Sequence, residues 1–399
     1  MTPRRTRAAV VGIGFAGSQH VEALRRIGDV DVVAVVAATT ELAARAARTL
    51  RVDHATDDYR EIVEDPSVDV VHVCTPNYLH VEVATAALRA GKHVLCEKPL
   101  ATDTASAEEV ARLAASSDRV TVLGHNYRFF PMVAELRARV LDGELGALHA
   151  IHGHYLQDWL LLASDTNWRI DPGQGGASRA IADIGTHWVD LAETVTGRRL
   201  EAVLADTTTL HRQRRSFRHA ETFRDDGAGD ALVDVSTEDQ AAMLLRFAGG
   251  LRGALTVSQV SAGHRNDLEI RVDAATASAT WRQERPDELW IGHRDSPNET
   301  ILRSAGAGAP ATRALARLPG GHNEGWADAL RGLIASAYQV IRGEIPRDEC
   351  PVPLPTFDDG VRHLRFVEAA LESARRGTWV TVDEIARRTV AGQPKEAMR

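Results

Sequence analysis

The stretch Gly12-Ile13-Gly14-Phe15-Ala16-Gly17 decides the fold of the first third of this chain. It follows the apolar run Ala8–Val11 and precedes a segment whose apolar residues recur at helical spacing. A strand, a glycine turn and a helix in this order are typical of a dinucleotide-binding unit. The first glycine permits the tight turn, the second leaves room for a pyrophosphate, and the third lets the helix pack on the strand. Because the start of such a helix presents free N–H groups to phosphate, the sequence predicts a dinucleotide site here rather than a merely tight turn.

Composition restricts the class of protein. The chain has 399 residues, of which 44% are hydrophobic and 26% charged, so it is long enough for two domains with packed cores. Its formal net charge of -8 argues against nucleic acid or an anionic membrane surface as a partner, and no apolar run is long enough to span a bilayer. The cysteines, Cys74, Cys96 and Cys350, lack metal-ligand spacing and fit a reduced setting. We therefore expect a cytoplasmic protein that holds no metal and binds neither nucleic acid nor a membrane.

The periodicity of the apolar residues changes near residue 124. Before that point strand and helix signals alternate, and further strands are predicted at Val30–Val36, Val68–Cys74, His93–Cys96 and Val120–Gly124. This alternation predicts a doubly wound parallel sheet, the Rossmann architecture, as a dinucleotide-binding domain over residues 1–124.

Residues 125–399 show a different pattern, because strand-like segments follow one another with few helices between them. After a helix at Pro131–Asp142, strands are predicted at Ala147–Tyr155, Leu200–Leu210, Gln240–Phe247, Leu251–Val260, Leu268–Val272, Ala277–Arg282 and Glu288–Ile291. Such runs predict an α+β domain built on a large, mainly antiparallel open sheet. One helix is predicted inside it at Ser178–Val195, and the last long helix, about 357–376, can pack back on the first domain. The arginine-rich segment His211–Gly229 is predicted to be a solvated loop rather than an anion site.

Two motifs follow neighbouring strands of the predicted parallel sheet. Thr75-Pro76-Asn77-Tyr78-Leu79-His80 comes after one strand, and Glu97-Lys98-Pro99 after the next. Ligands of such sheets bind beyond the carboxyl ends of the strands, so both loops are expected to face the dinucleotide. Taken alone, Glu97-Lys98 is more simply interpreted as an exposed charged turn, and its position in the sheet is what favours a functional site.

Polar residues of the second domain supply candidate catalytic and substrate groups. Asp183 and His187 are four residues apart in the predicted helix and therefore share a face. A histidine can take a hydroxyl proton while a neighbouring carboxylate fixes its tautomer, although a surface ion pair is the simpler interpretation of the pair alone. Asn126-Tyr127-Arg128 and Trp168-Arg169 suit a hydroxyl-rich ligand, but core aromatics and surface arginines explain them equally well.

These motifs together resemble the Gfo/Idh/MocA family of nicotinamide-dependent oxidoreductases. The family pattern is GxGxxG, TPN followed by a histidine, EKP and DxGxH in this order, and the resemblance extends from about Thr6 to Val382. It implies NAD or NADP as cofactor and an open sheet that relatives often use for dimer or tetramer contacts. It also implies a Lys/Asp/His catalytic set formed by Lys98, Asp183 and His187.

The resemblance further implies a division of roles and a set of contacts. His187, oriented by Asp183, removes the hydroxyl proton while Lys98 stabilises the alkoxide, although proton transfer by the lysine, as in some relatives, stays open. The predicted cofactor contacts are Gly12, Gly14, Phe15, Ala16, Gly17, Ala37, Thr39, Thr75, Pro76, Asn77, His80, Glu97, Lys98, Trp168 and Arg169. The predicted substrate contacts are Lys98, Tyr127, Arg128, Gln157, Asp158, Asp183, His187 and His322.

The choice between the two nicotinamide cofactors is not fixed by the usual residue. NAD-preferring Rossmann domains place an acid at the end of the second strand, where this chain has Val36-Ala37-Ala38-Thr39-Thr40. Nothing there repels a 2′-phosphate, yet no arginine or lysine lies immediately beside it to attract one. NAD, with Thr39 or Thr40 on the ribose, is slightly preferred, and dual use stays open.

The function implied by the resemblance is a dehydrogenase that acts on a neutral sugar, polyol or inositol-like ring. Two alternatives stay open. One is a sugar-modifying enzyme that oxidises and re-reduces its substrate with tightly bound NAD, and the other is a non-catalytic ligand sensor of the same fold. A complete Lys/Asp/His set argues against the sensor, since a sensor needs no such set.

Overall fold

The computed structural model describes residues 4–217 and 228–390. Its N-terminal part contains the strands β1 Thr6–Val11, β2 Val30–Val36, β3 His54–Thr56, β4 Val70–Val73, β5 His93–Cys96 and β6 Thr121–Leu123. The helices between them are α1 Phe15–Ile27, α2 Thr40–Leu50, α3 Tyr59–Glu64, α4 His80–Arg89 and α5 Thr104–Ala115. The strands form one parallel sheet in the order β3-β2-β1-β4-β5-β6, which confirms the predicted Rossmann architecture.

The central strands of this sheet are buried on both faces. Every residue of β4 is buried, and Arg7 is the one residue of β1 that is not. Helices cover both faces of a parallel sheet, so its middle strands read as continuous apolar runs rather than alternating ones. The order reverses direction between β1 and β4, and the carboxyl ends of strands at such a reversal form the ligand crevice.

The C-terminal part is built on a second sheet. Its strands are β7 Leu148–Leu156, β8 Leu200–Thr208, β11 Gln240–Phe247, β12 Arg252–Ser258, β13 Asp267–Ala274, β14 Ser278–Arg282, β15 Glu288–Gly292, β16 Glu299–Leu302 and β17 Val380–Thr381. The strands β9 Gln213–Phe217 and β10 Ala228–Asp234 form a separate two-stranded ribbon. The helices are α6 Pro131–Leu141, α7 Pro172–Gly175, α8 Thr186–Thr196, α9 Pro310–Leu315, α10 Trp326–Ile341, α11 Phe357–Arg376 and α12 Val382–Val390. The order is β16-β15-β14-β13-β7-β12-β11-β8-β17, and all neighbours are antiparallel except β7 and β12. The predicted large, mainly antiparallel sheet is therefore confirmed.

One face of the second sheet is buried and the other is open. Along β11 buried residues alternate with exposed ones, and Leu244 on the open face keeps 51% of its surface exposed. The buried face lies under α8, whose Trp188 is fully buried and donates its indole N–H to the Glu269 carbonyl at 2.9 Å. This alternation is what an antiparallel sheet with one solvated face requires.

Two late helices return to the N-terminal part of the chain. Helix α10 packs on α1, while α11 packs on α5 and also on β8 of the second sheet. Among the described helices, none is long and apolar enough to cross a membrane.

The structure differs from the sequence prediction in three local regions. The short elements β3 and α3 were not predicted, because three strand residues and six helical residues give too little periodicity to detect. The predicted helix Ser178–Val195 begins with a π-helical turn at Ile181–Gly185 before α8. The described part of His211–Gly229 is not a solvated loop, since its Arg214 is fully buried against Asp239 at 2.9 Å. Residues 218–227 of that segment lie outside the described residues.

Candidate active site

The glycine turn between β1 and α1 has the shape that a dinucleotide pyrophosphate needs. Gly12 has φ +94°, and a Cβ built there would lie 2.5 Å from the Cys74 carbonyl oxygen. A Cβ at Gly17 would lie 1.9 Å from the Gly12 carbonyl oxygen, whereas one at Gly14 would meet nothing within 4 Å. The first and third glycines are thus required by the fold, and the second leaves open space.

The start of α1 is also prepared for an anion. No side chain caps it, its first turn, which holds Phe15 and Ala16, contains no acidic residue, and its N–H groups carry the positive end of the helix dipole. On the neighbouring strand end, the Thr75 hydroxyl is buried and has no hydrogen-bond partner among the described residues. Open space, an uncapped helix start and an unpartnered buried hydroxyl together fit a phosphate-bearing cofactor.

The end of β2 lacks an acid of its own but has one beside it. The Ala37 N–H donates to the Thr56 carbonyl at 3.1 Å, and the Thr39 hydroxyl accepts from Leu42 N at 3.2 Å as the N-cap of α2. The Thr40 hydroxyl donates to Asp57 Oδ2 at 2.6 Å, which lowers the pKa of that carboxyl. Sequence reasoning missed Asp57 because it follows β3 and reaches the β2 end only through sheet pairing.

The two strand-end motifs are tied to each other. The His80 ring is buried, with Nδ1 2.7 Å from the Pro99 carbonyl and Nε2 2.8 Å from the Thr75 carbonyl. The Asn77 amide donates to the Gly175 carbonyl at 3.0 Å. Pro76 directly precedes a short helical turn at Asn77–Leu79. The side chains of His80 and Asn77 therefore hold the loops in place, a role that the predicted cofactor contacts did not include. The Lys98–Pro99 peptide is cis.

Lys98 and Asp183 form the central ion pair of the site. Lys98 Nζ donates to Asp183 Oδ1 at 2.7 Å and to the Asp183 carbonyl at 2.8 Å. The other carboxylate oxygen accepts from Gln259 Nε2 at 2.9 Å, and Arg169 Nε lies 3.5 Å from Oδ1. Burial alone would raise the pKa of Asp183, but the Lys98 ammonium outweighs it, with help from Arg169, and holds the pKa at about 2.

His187 adjoins this pair but donates no hydrogen bond to the Asp183 carboxylate among the described contacts. The predicted contact between Asp183 and His187 is not formed. The two Asp183 carboxylate oxygens accept from Lys98 and Gln259 instead. The His187 ring is only 7% exposed, and its centroid lies 4.8 Å from that of Tyr127 and 5.2 Å from that of His125. Burial and then the Lys98 charge lower the pKa of His187 well below its usual value. The imidazole is therefore neutral at pH 7 and free to accept a proton.

A polar network lines the side of the site nearest Tyr127. The Tyr127 hydroxyl lies 2.7 Å from the Tyr155 hydroxyl and accepts from Asn266 Nδ2 at 3.0 Å. Gln157 Nε2 donates to Asn266 Oδ1 at 3.1 Å, while Trp159 Nε1 donates to Gln157 Oε1 at 2.8 Å. Burial raises the pKa of Tyr127 to about 12, so its hydroxyl remains a donor. Sequence reasoning missed Tyr155, although its position two residues before Gln157 on a strand puts both on one face.

Several predicted substrate contacts are engaged elsewhere. The buried Arg128 guanidinium pairs with Asp190, with Nε to Oδ2 at 2.8 Å, and with Asp359 at 3.2 Å, so these contacts engage it as a structural cation, and its substrate role stays a prediction. The Asp158 carboxylate accepts from Gly263 N at 3.1 Å and pairs with an exposed arginine of the same loop. His322 is exposed, and its carbonyl accepts from a buried arginine.

The remaining predicted cofactor residues are Trp168 and Arg169. The Trp168 ring is buried and the Arg169 guanidinium carbon lies 4.3 Å above its centroid, so stacking on the ring holds Arg169 beside Asp183.

Glu97 heads a buried polar chain that sequence reasoning also missed. Its Oε1 lies 3.1 Å from His20 Nε2 on α1, and His20 Nδ1 lies 2.7 Å from His72 Nδ1 on β4. His72 Nε2 lies 2.9 Å from the Tyr338 hydroxyl on α10. Burial would raise the pKa of Glu97, but the His20 hydrogen bond and nearby charges lower it. This row of hydrogen-bonded side chains fixes the Glu97-Lys98-Pro99 turn against α1.

Family models match most of the chain. Residues 6–125 match the Gfo/Idh/MocA model described as an oxidoreductase family with an NAD-binding Rossmann fold. Residues 133–280 match the model of the GFO/IDH/MocA C-terminal domain.

Similar proteins include sugar and polyol dehydrogenases. Levoglucosan dehydrogenase of Pseudarthrobacter phenanthrenivorans is 29% identical over 405 residues, which cover 94% of this chain and 98% of that protein. Myo-inositol 2-dehydrogenase of Thermotoga maritima is 27% identical over 271 residues, covering 66% of this chain and 72% of that one.

Solved structures show the same likeness. A levoglucosan dehydrogenase complexed with NADH and L-sorbose superposes with a TM-score of 0.84 at 26% identity, covering 95% of this chain and 99% of that one. An inositol dehydrogenase homologue from Azotobacter vinelandii, complexed with NAD+, has a TM-score of 0.82 at 28% identity and covers 95% of this chain and 98% of that one.

Proposed function

Since this chain belongs to the Gfo/Idh/MocA family of oxidoreductases with an NAD-binding Rossmann fold, we propose that it is an NAD-dependent dehydrogenase of a neutral sugar, polyol or inositol-like substrate. The observation that carries the proposal is the Lys98–Asp183 ion pair, at 2.7 Å, with a neutral buried His187 beside it. This places a fixed cation and a proton acceptor together just beyond the carboxyl end of a Rossmann strand.

The roles of the three residues follow from their contacts. An ammonium has three N–H donors, and Asp183 accepts two of those of Lys98, which leaves one for a substrate oxygen. Because Lys98 Nζ is held in an ion pair with Asp183 at 2.7 Å, the lysine is a fixed cation that stabilises a developing alkoxide. His187 then takes the hydroxyl proton as general base and returns it in the reductive direction. Bound NAD supplies the hydride acceptor.

The lining of the site supports an uncharged, hydroxyl-rich substrate. Tyr127, Tyr155, Asn266 and Gln157 offer amide and hydroxyl groups already linked to one another. The Arg169 charge is partly balanced by Asp183, whose Oδ1 lies 3.5 Å from Arg169 Nε. Hydroxyl and amide groups select substrate hydroxyls by hydrogen bonds.

The surroundings of β2 favour NAD over NADP. Asp57 is held beside the strand end by Thr40, and the lowered pKa keeps its carboxylate charged. A fixed negative charge near Ala37 would repel a 2′-phosphate by the same electrostatics that an acid on the strand itself uses.

We also propose that the protein works as a cytoplasmic homo-oligomer. The buried, free cysteines suit a reducing compartment, and the open face of the second sheet, with Leu244 exposed, offers an apolar surface to a second copy.

The direct test is the absorbance of reduced nicotinamide. Purified protein is mixed with NAD or NADP and with neutral aldoses, anhydrosugars and inositols, and phosphorylated sugars serve as the matched charged controls. We expect NAD reduction with at least one neutral substrate and little with its phosphorylated counterpart. Reduction confined to the phosphorylated sugars would contradict the proposed substrate class. No reduction with cofactor still bound would favour a sugar-modifying enzyme that oxidises and re-reduces its substrate with tightly bound NAD.

A further inference from the structure

A row of buried histidines lies behind His187. The rings of His187 and His125 meet edge to face with centroids 5.2 Å apart, and the centroid of His363 on α11 lies 4.6 Å from that of His125. His363 Nδ1 lies 3.0 Å from His125 Nε2, and His363 Nε2 lies 3.6 Å from Asp190 Oδ1. All four side chains are buried, so their proton positions are set by one another rather than by water.

The carboxylate at the far end determines the proton positions along the row. His363 Nε2 has no hydrogen-bond partner among the described residues, and at 3.6 Å the Asp190 carboxylate is the charge nearest to it. We therefore assign the His363 proton to Nε2, because a bare lone pair there would face that carboxylate. His363 Nδ1 is then an acceptor, so the proton in its hydrogen bond with His125 belongs to His125 Nε2. Burial lowers the pKa of His125 to about 3 and that of His363 to about 4, so each ring is neutral and carries one proton. His125 Nδ1 is therefore a bare acceptor.

The neighbouring His187 ring also holds a nitrogen without a partner. His125 Nδ1 and His187 Nδ1 are both buried and lack a hydrogen-bond partner among the described residues. A buried polar atom without a partner destabilises the fold, and a proton on His187 Nδ1 that reaches His125 Nδ1 through one bridging water satisfies both atoms. We propose that His125, held by His363 and Asp190, is the positioning residue that fixes His187 as its Nδ1–H tautomer and leaves Nε2 bare to take the substrate proton. The inference rests on the proposed function for its chemical consequence only.

The arrangement suits a hydrogen-bonded chain better than a cation site. His125, His363 and Asp190 bring their ligand atoms within 4.8 Å of one another, which is compatible with a metal. However, the Arg128 guanidinium binds both oxygens of Asp190, and the two imidazole nitrogens that lie 3.0 Å apart are directed at each other. A divalent cation would have to displace an arginine from a fully buried carboxylate.

Nitrogen NMR of protein labelled with ¹⁵N-histidine tests the tautomer without any substrate. The His187 signal is assigned by its loss in His187→Asn. We expect the Nδ1–H form in the wild type and a shift toward the Nε2–H form, or a mixture, in His125→Leu and in His363→Leu. His363 touches neither His187 nor the substrate site, so its variant serves if His125→Leu does not fold. An Nε2–H form in the wild type, or an unchanged tautomer in both variants, would overturn the inference.

Kinetics provide the second readout. We expect kcat to fall about 10- to 100-fold in His125→Leu, with KM and the dinucleotide Kd changed less than about threefold, because substrate and cofactor contacts are untouched. His125→Asn keeps an acceptor at the Nδ1 position and is expected to restore most of the rate. Equal loss in the Leu and Asn variants with an unshifted His187 tautomer would indicate a merely structural residue. If the wild type turns over no substrate, the proposed function fails while the NMR result still decides the tautomer.

Discussion

Replacing Lys98 with methionine removes the fixed cation of the proposed active site and little else. Methionine keeps the length and apolar stem of lysine, and the position is largely buried, with 11% of the side chain exposed. What is lost is the ammonium that donates to Asp183 at 2.7 Å and would donate to the substrate oxygen. The variant therefore tests the chemical role of Lys98 separately from the fold.

The structural part of the effect can be bounded from Asp183. Its pKa is about 2 against the usual 3.8, a difference worth about 2 kcal/mol at 1.36 kcal/mol per unit. Because the folded pKa is depressed, this stability is fully present above pH 4 and is lost as pH falls from 3.8 toward 2. Arg169 and Gln259 remain in Lys98→Met, but the burial that Lys98 outweighs is then opposed less, so the free energy of unfolding at pH 7 should fall by about 2 kcal/mol or more.

The catalytic part is larger. An electrostatic donor aimed at developing negative charge typically contributes about 10²- to 10³-fold in turnover, so kcat should fall at least that far. Turnover is measured by the absorbance of reduced nicotinamide at saturating substrate, and dinucleotide binding by fluorescence titration. Unfolding by urea is measured at pH 7 and at pH 2, on either side of the window in which the Asp183 contribution is lost. Binding of the dinucleotide is expected to change little.

Lys98→Arg is the matched control, because it keeps the charge and therefore the low pKa of Asp183 while its rigid fork misplaces the donor. We expect it to match the wild type in stability but not in turnover. Lys98→Met turning over within about threefold of the wild type would refute the argument that Lys98 stabilises the alkoxide.

Three further perturbations probe other parts of the molecule. Gly17→Ala places a Cβ 1.9 Å from a carbonyl oxygen and should destabilise the protein in urea, whereas Gly14→Ala, which meets open space, should leave stability unchanged and weaken dinucleotide binding in a titration. Equal stability of the two variants would contradict this account of the turn. Arg128→Met leaves Asp190 buried and unpaired and should lower the free energy of unfolding by about 3–5 kcal/mol, and an unfolding midpoint equal to the wild type would count against the buried pair. Ala37→Asp should raise the NAD/NADP ratio of kcat/KM, and a fall in that ratio would show that the end of β2 does not contact the ribose.

Much of the fold could be predicted from the sequence because it rests on local patterns. The glycine turn, the apolar runs of β1 and β4 and the alternation along β11 each determine their own structure. The short β3 and α3 carry no such periodicity, and the burial of Arg214 depends on Asp239, which is distant in sequence.

The site was predictable in its motifs and not in its pairings. The spacing of Asp183 and His187 predicted that they share a helix face. However, the Asp183 carboxylate accepts its hydrogen bonds from Lys98 and Gln259, which lie on other elements. The ring neighbours of His187 are instead His125 and Tyr127, and no pattern in a single sequence predicts that these residues contact it. Tertiary contacts of this kind are what sequence spacing omits.

Direct transfer of a carbinol hydrogen tests the central claim most closely. The protein is incubated with NAD and a pool of neutral sugars, anhydrosugars and inositols that carry deuterium on their carbinol carbons, and the dinucleotide is examined by mass spectrometry. We expect reduced dinucleotide that has gained one deuterium, and no such product with His187→Asn. Deuterium that stays in the sugar, or a dinucleotide that gains none, would contradict a dehydrogenase.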